Sequence, residues 1–147
     1  MNITYREIKP IDVKELISLR SKTREHSISV EELRNMGITK ESVIAKIQSN
    51  YKGWLCECDN RIVGFTMGNK DTGEVWVIAI LPEYEGKGIG QKLMALIKEW
   101  LFQFNDTLWL TTDDDSQFRA YKFYWKNGWT KTGTHGFGKI CTFTIKK

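Results

Sequence analysis

Between residues 74 and 104 the chain passes from an apolar strand, through glycines at alternate positions, into an amphipathic helix, and this succession limits its fold more than any other feature. From Val75 to Leu81 the segment Glu74-Val75-Trp76-Val77-Ile78-Ala79-Ile80-Leu81 is apolar at every position, the mark of a strand covered on both faces and therefore central in its sheet. Pro82 ends it. Ile89, Leu93, Leu96, Ile97, Trp100, Leu101 and Phe104 then mark one face of a long helix. Between the two lies Glu85-Gly86-Lys87-Gly88-Ile89-Gly90-Gln91. Glycines at 86, 88 and 90 let the backbone approach an anion closely, and the N–H groups opening a helix carry the positive end of its dipole. The segment is read as an anion cradle, with Lys87 adding a cation; the alternative is a tight strand-to-helix turn and nothing more. Two familiar nucleotide fingerprints are excluded: G-x-G-x-x-G fails at Gln91, and no G-x-x-x-x-G-K-[ST] occurs.

The rest of the chain supplies a mixed α/β arrangement. Ile3 to Ile8 alternates like a strand, and Asp12 with Glu15 forms a capping pattern ahead of Leu16 and Leu19. Ser29 with Glu32 opens a second helix that stops near Gly37, and Thr39 opens a third carrying Val43, Ile44 and Ile47. From Gly53 the period changes to two: Trp54 to Cys58, a turn at Asp59-Asn60, and Arg61 to Met67 read with the apolar strand as an antiparallel meander. Thr107 to Thr112 gives a further strand. A helix from about Ser116 to Lys126 ends at Asn127-Gly128, and closing strands run near Trp129 to Thr132 and Ile140 to Ile145. The expected fold is a mixed, mostly antiparallel central sheet flanked by helices.

The 147 residues, 41% of them hydrophobic, suit one domain over 1–147, and six Trp, seven Phe and five Tyr provide a core without a metal or disulfide. Three cysteines and the absence of a cleavable apolar leader predict a reducing, cytoplasmic setting. No apolar run approaches the length needed to cross a bilayer. A net charge of +4, without a basic block and with the tryptophans scattered, gives no reason to expect nucleic acid as a partner.

The strand, Pro82 and Gly86-Lys87-Gly88-Ile89-Gly90 together resemble the acetyl-CoA motif of the GNAT superfamily of N-acetyltransferases, R/Q-x-x-G-x-G/A. Gly88 and Gly90 match its glycines; Glu85 departs from it, standing where the family has Arg or Gln. About 30 residues downstream, Gln117-x-x-Ala120-x-x-Phe123-Tyr124-x-x-x-Gly128-Trp129 resembles the family's N-x-x-A-x-x-x-Y-x-x-x-G-F/W helix, with Gln117 in place of Asn. The resemblance implies an acetyl-CoA-dependent enzyme moving an acetyl group directly to a primary amine of a small molecule or peptide. The backbone of Gly86, Lys87, Gly88, Ile89, Gly90 and Gln91 would hold the coenzyme's diphosphate, Gln117 would touch its phosphate or pantetheine arm, and free N–H groups around Ile78, Ala79 and Ile80 would meet the thioester. The alternative is a non-catalytic acyl-CoA sensor on the same fold, suggested by Glu85 and Gln117.

Acetyl transfer needs a base, because a free alkylamine has a pKa of about 10.4. Relatives of this kind carry a glutamate where Glu74 stands, at the start of the central strand; the plainer reading is an exposed strand-end charge. Tyr124 matches the family's acid for the departing thiolate, against the plainer reading of an aromatic packed beside Phe123 and Trp125. Arg24 and His26 lie between two helices where the family builds its acceptor pocket, although a solvated loop is the simpler account. Asp113-Asp114-Asp115 is read as helix capping, the alternative being attraction of a cationic acceptor amine; Cys56 and Cys58 are read as small buried hydrophobes without metal spacing, and His135 as part of a hairpin. No metal is expected. A homodimer through the last strand is a further expectation from the family.

Overall fold

The computed structural model describes residues 2–24 and 27–147. Seven strands form one sheet in the order β1-β2-β3-β4-β5-β7-β6. β1 (Ile3–Glu7), β2 (Tyr51–Cys58), β3 (Arg61–Asn69) and β4 (Glu74–Ile80) are antiparallel neighbours, with β4 fourth of the seven. β5 (Thr107–Asp113) pairs with β7 (Ile140–Lys146) from end to end, and β6 (Thr130–His135) closes the far edge. The turn between β2 and β3 is the predicted Asp59-Asn60, both residues at positive φ as a type I′ hairpin requires.

The helices are α1 (Val13–Arg20), α2 (Val30–Asn35), α3 (Lys40–Ile47), α4 (Ile89–Leu101) and α5 (Arg119–Lys126). α4 lies against β3 where Gly64 and Gly68 carry no side chain; a Cβ on Gly68 would meet Leu101 at 2.9 Å and Ile97 at 3.0 Å. Alternation turns Phe65 and Met67 to the opposite face, where they share a buried cluster with Val13, Leu16, Leu19 and Val43 of α1 and α3. β4 carries one extra residue: Gly68 faces Val75 but Met67 faces Val77, which leaves Trp76 unpaired in a bulge. Trp76 packs edge-on to Tyr51, its ring centroid 5.4 Å away, with Lys46 Nζ over both rings.

Ser29–Glu32 forms a reciprocal capping box for α2, and Thr39 with Ser42 does the same for α3. The expected cap at Asp12 does not form. Its carboxylate is taken instead by Arg6, whose Nη1 and Nη2 each donate at 2.8 Å, and by the Lys9 N–H at 2.7 Å. α5 begins at Arg119, later than the sequence suggests, because Asp115 Oδ1 first closes a turn on the Gln117 N–H at 2.9 Å. β6 runs from Thr130 to His135, and Gly128 ends α5 at φ 87°.

Candidate active site

β4 and β5 are parallel, and a single registered pair, Glu74 opposite Trp109, joins them. The Trp109 N–H donates to Gly73 O at 3.1 Å and its indole N–H to Thr72 O at 3.0 Å, so the strands are tied at their starts. Beyond that vertex they part. The opening is a cleft of about 830 Å³ lined by β4, β5, the glycine segment, α5 and residues of α1 to α3. Within it β4 exposes backbone donors: the Leu81 N–H bonds to Val63 O on β3, so by alternation Ile78 and Ile80 direct their N–H groups toward the gap, while Ala79 between them turns to β3.

α4 starts at the rim of this cleft without a side-chain cap, after Gly88 at φ 83°, and its first turn contains no acid. The thirteen-residue helix therefore directs its first N–H groups and the positive end of its dipole into the opening. Each glycine has its own reason. Gly86 (φ 74°) and Gly88 sit in the left-handed region, and Gly90 permits close packing, since a Cβ there would lie 3.1 Å from Ile80 Cδ1 and 3.5 Å from Phe123. The uncapped helix start and the strand opening, rather than the number of glycines, make the segment fit a diphosphate.

Glu85 belongs to this rim and is neither solvent-directed nor unpaired. Its side chain is only 16% exposed, with Oε1 2.7 Å from Arg24 Nε and Oε2 3.0 Å from Arg119 Nε.

Tyr124 lines the cleft from α5 and is 6% exposed, packed against Trp129, Phe143 and Phe123 at centroid distances of 6.1, 5.7 and 5.7 Å. Burial raises its phenol well above the ordinary tyrosine value, opposed by the charge of Arg20. Arg20, also in the lining, is itself lowered by burial, with Tyr124 opposing.

Residues 14–129 match the family described as the acetyltransferase (GNAT) family. The chain belongs to it. An uncharacterized N-acetyltransferase from Archaeoglobus fulgidus is 30% identical over 94 residues, 51% of this chain and 64% of that protein's length. In fold, the chain is similar to the PaiA N-acetyltransferase of Thermoplasma acidophilum solved with coenzyme A, at TM-score 0.84 and 20% identity, with 100% of both chains covered. It is also similar to the ribosomal-protein-S18-alanine N-acetyltransferase of Escherichia coli, at TM-score 0.75 and 14% identity over 99% of this chain and 94% of that one. The sheet and its flanking helices are those of this family.

In this GNAT acetyltransferase the cleft gathers Glu74, Ile78, Ala79, Ile80, Gly86, Gly88, Ile89, Gly90, Gln91, Arg24 and Tyr124. Lys87 and Gln117 are exposed and stand outside that lining. His26 falls outside the described residues. Glu74 is half-buried, and burial raises its carboxyl above the ordinary value against an opposing effect of Lys46. The acidic triplet divides: Asp113 lines the cleft, Asp114 pairs with Lys131 Nζ at 2.7 Å, and Asp115 forms the turn before α5. Cys56, Cys58 and Cys141 are buried thiols. Among the described residues no helix is long and apolar enough to cross a membrane, and no group of His, Cys, Asp and Glu is arranged to hold a metal.

Sequence reasoning missed Arg20 and Arg119. Arg119 occupies a variable position inside the Gln117-x-x-Ala120 motif. The signal was indirect: an acid at residue 85, where the family has Arg or Gln, calls for cations from elsewhere.

Proposed function

We propose that this protein transfers the acetyl group of acetyl-CoA directly to a primary amine of a small molecule or peptide. The opening between β4 and β5 carries the reading, because it joins an uncapped helix start on one side to an acceptor chamber on the other. Bound acetyl-CoA supplies an acyl thioester, whose carbonyl is open to attack by an uncharged amine. The first N–H groups of α4 suit the diphosphate. The N–H groups of Ile78 and Ile80 are directed where a thioester oxygen gains charge, a role for which fixed backbone donors need no reorganisation. Glu74, made more basic by burial, takes the proton from the acceptor ammonium, directly or through water. Tyr124, held protonated by burial, gives its proton to the departing thiolate.

The acceptor side combines apolar residues of α1, α2 and the α2–α3 connection, among them Ile17, Leu33, Met36 and Ile38, with the cations Arg20 and Arg24. Among the described residues its carboxylates are Glu74, Asp113 and Glu85, the last already paired with two arginines. This balance favours an acceptor with one amine and an apolar or anionic body, such as an amino acid or a peptide N-terminus, over a polyamine. One of the two motives for the sensor alternative weakens, since the Glu85 carboxylate is paired with Arg24 and Arg119.

Thermal unfolding with acetyl-CoA, CoA and a control nucleotide tests the donor, because a ligand of the folded state raises the melting temperature by mass action. Thiol release with a panel of amines tests transfer. A shift specific to the CoA compounds and turnover of a monoamine are expected. CoA binding without turnover of any amine favours the sensor, and fastest turnover with a polyamine overturns the acceptor assignment.

A further inference from the structure

The Glu85 carboxylate draws two arginines from distant segments to the rim of the cleft, Arg24 from the α1–α2 connection and Arg119 from the first position of α5. An acid placed alone before the start of α4 would repel an incoming phosphate and compete with it for the helix N–H groups. Here Oε1 accepts from Arg24 Nε at 2.7 Å and Oε2 lies 3.0 Å from Arg119 Nε, so the glutamate charge is met by two guanidinium groups. Engagement through Nε fixes where the rest of the Arg119 fork lies. A Cβ on Gly86 would stand 3.8 Å from Arg119 Nη2, so the guanidinium covers the first glycine of the segment that opens α4. Arg119 also lines the cleft, whereas Lys87, the cation expected from the sequence, does not.

We propose that Arg119, positioned by Glu85, binds a phosphate of the acyl-CoA donor and supplies the cation that residue 85 lacks. This rests on reading the cleft as an acyl-CoA site. A guanidinium fork suits phosphate oxygens in number and geometry. Glu85 is then a positioning residue: it touches no donor and sets the direction in which Arg119 presents its nitrogens. Arg24 balances the second carboxylate oxygen and ties the acceptor-side connection to the donor rim.

The test compares acetyl-CoA with acetyl-pantetheine, a thioester lacking all phosphates, in the full chain. Arg119→Ala is expected to raise the KM for acetyl-CoA about tenfold or more, as loss of a charge-assisted hydrogen bond does, and to leave kcat/KM for acetyl-pantetheine within about twofold. Equal losses with both donors assign Arg119 to the fold or the chemistry and overturn the proposal, as does no loss with either. Failure of the wild-type protein to bind acetyl-CoA overturns the donor reading itself, a separate result. For Glu85 the readout is a change of sign. Glu85→Ala weakens acetyl-CoA binding in the wild type, but strengthens it in the Arg24→Ala, Arg119→Ala background, where the carboxylate is unpaired and repels. A merely structural ion pair gives no such reversal, and its absence overturns the positioning role.

Discussion

Glu74 faces Trp109 at the one registered pair between β4 and β5, so the candidate base stands at the vertex from which the two strands diverge. The same vertex depends on Gly73, at φ 80°, where a Cβ would come within 2.8 Å of Thr107 O. Gly73→Ala therefore has to move β5 as well as strain its own backbone. We expect it to destabilise the protein by about 1–3 kcal/mol and to weaken acetyl-CoA binding, because the divergence of the strands sets the donor site. Chemical denaturation and donor titration of the same variant check both effects.

Glu74→Gln keeps the shape and removes the base. We expect kcat/KM to fall about a hundredfold or more, with the donor-induced melting shift retained. In the wild type, the acid limb of kcat/KM should lie above the ordinary glutamate value, because burial raises the folded carboxyl. A raised carboxyl lowers stability once pH passes its unfolded value, so Glu74→Gln at pH 7 should be no less stable than the wild type. A loss of both activity and stability would contradict this assignment.

Tyr124→Phe preserves the buried ring and its contacts with Trp129 and Phe143 while deleting the hydroxyl. A fall in kcat of about a hundredfold or more is expected, with little change in donor affinity, because the hydroxyl matters as the thiolate leaves. Since the folded phenol titrates above its usual value, the wild type should show no alkaline loss from Tyr124 below about pH 10. Pre-steady-state thiol release separates this step from donor binding.

Local patterns made the frame legible. The seven-residue apolar run from Val75 to Leu81 marked β4, Ser29–Glu32 and Thr39 marked two helix starts, and Asp59-Asn60 marked the hairpin, because each depends on neighbours within a few positions. Charge partners were not legible. Arg24 and Glu85 lie 61 residues apart, and Arg6 and Glu57 51 apart, so no spacing rule connects them before the sheet assembles. Asp12 shows the conflict directly: its sequence context offers a helix cap, but folding brings Arg6 beside it, and a bidentate guanidinium outcompetes a single backbone N–H. The divergence of β4 from β5 was likewise invisible in composition; the family resemblance implied free N–H groups around Ile78, Ala79 and Ile80, and a pairing that stops after one residue shows the divergence.

The Arg6 cluster gives the acid stability of the fold a specific origin. Asp12 is 6% exposed, and Arg6 bridges it to Glu57, its Nε donating to Glu57 Oε1 at 2.8 Å. Arg6 holds the Asp12 carboxyl below the ordinary value, with burial opposing and the Lys9 N–H assisting. The folded group thus titrates below its unfolded counterpart. Its contribution is fully present above about pH 5 and is lost as pH falls through about 4 and below, where the unfolded chain binds the proton first. Asp12→Asn should cost about 2 kcal/mol at pH 7, a figure reduced for the partial exposure of Arg6, which leaves its charge in reach of water. The difference between variant and wild type should shrink toward pH 3, as protonation removes the same charge from Asp12. Urea midpoints measured from pH 3 to pH 7 resolve this, and a difference that stays constant across that range would place the stabilising role of Asp12 in something other than its charge.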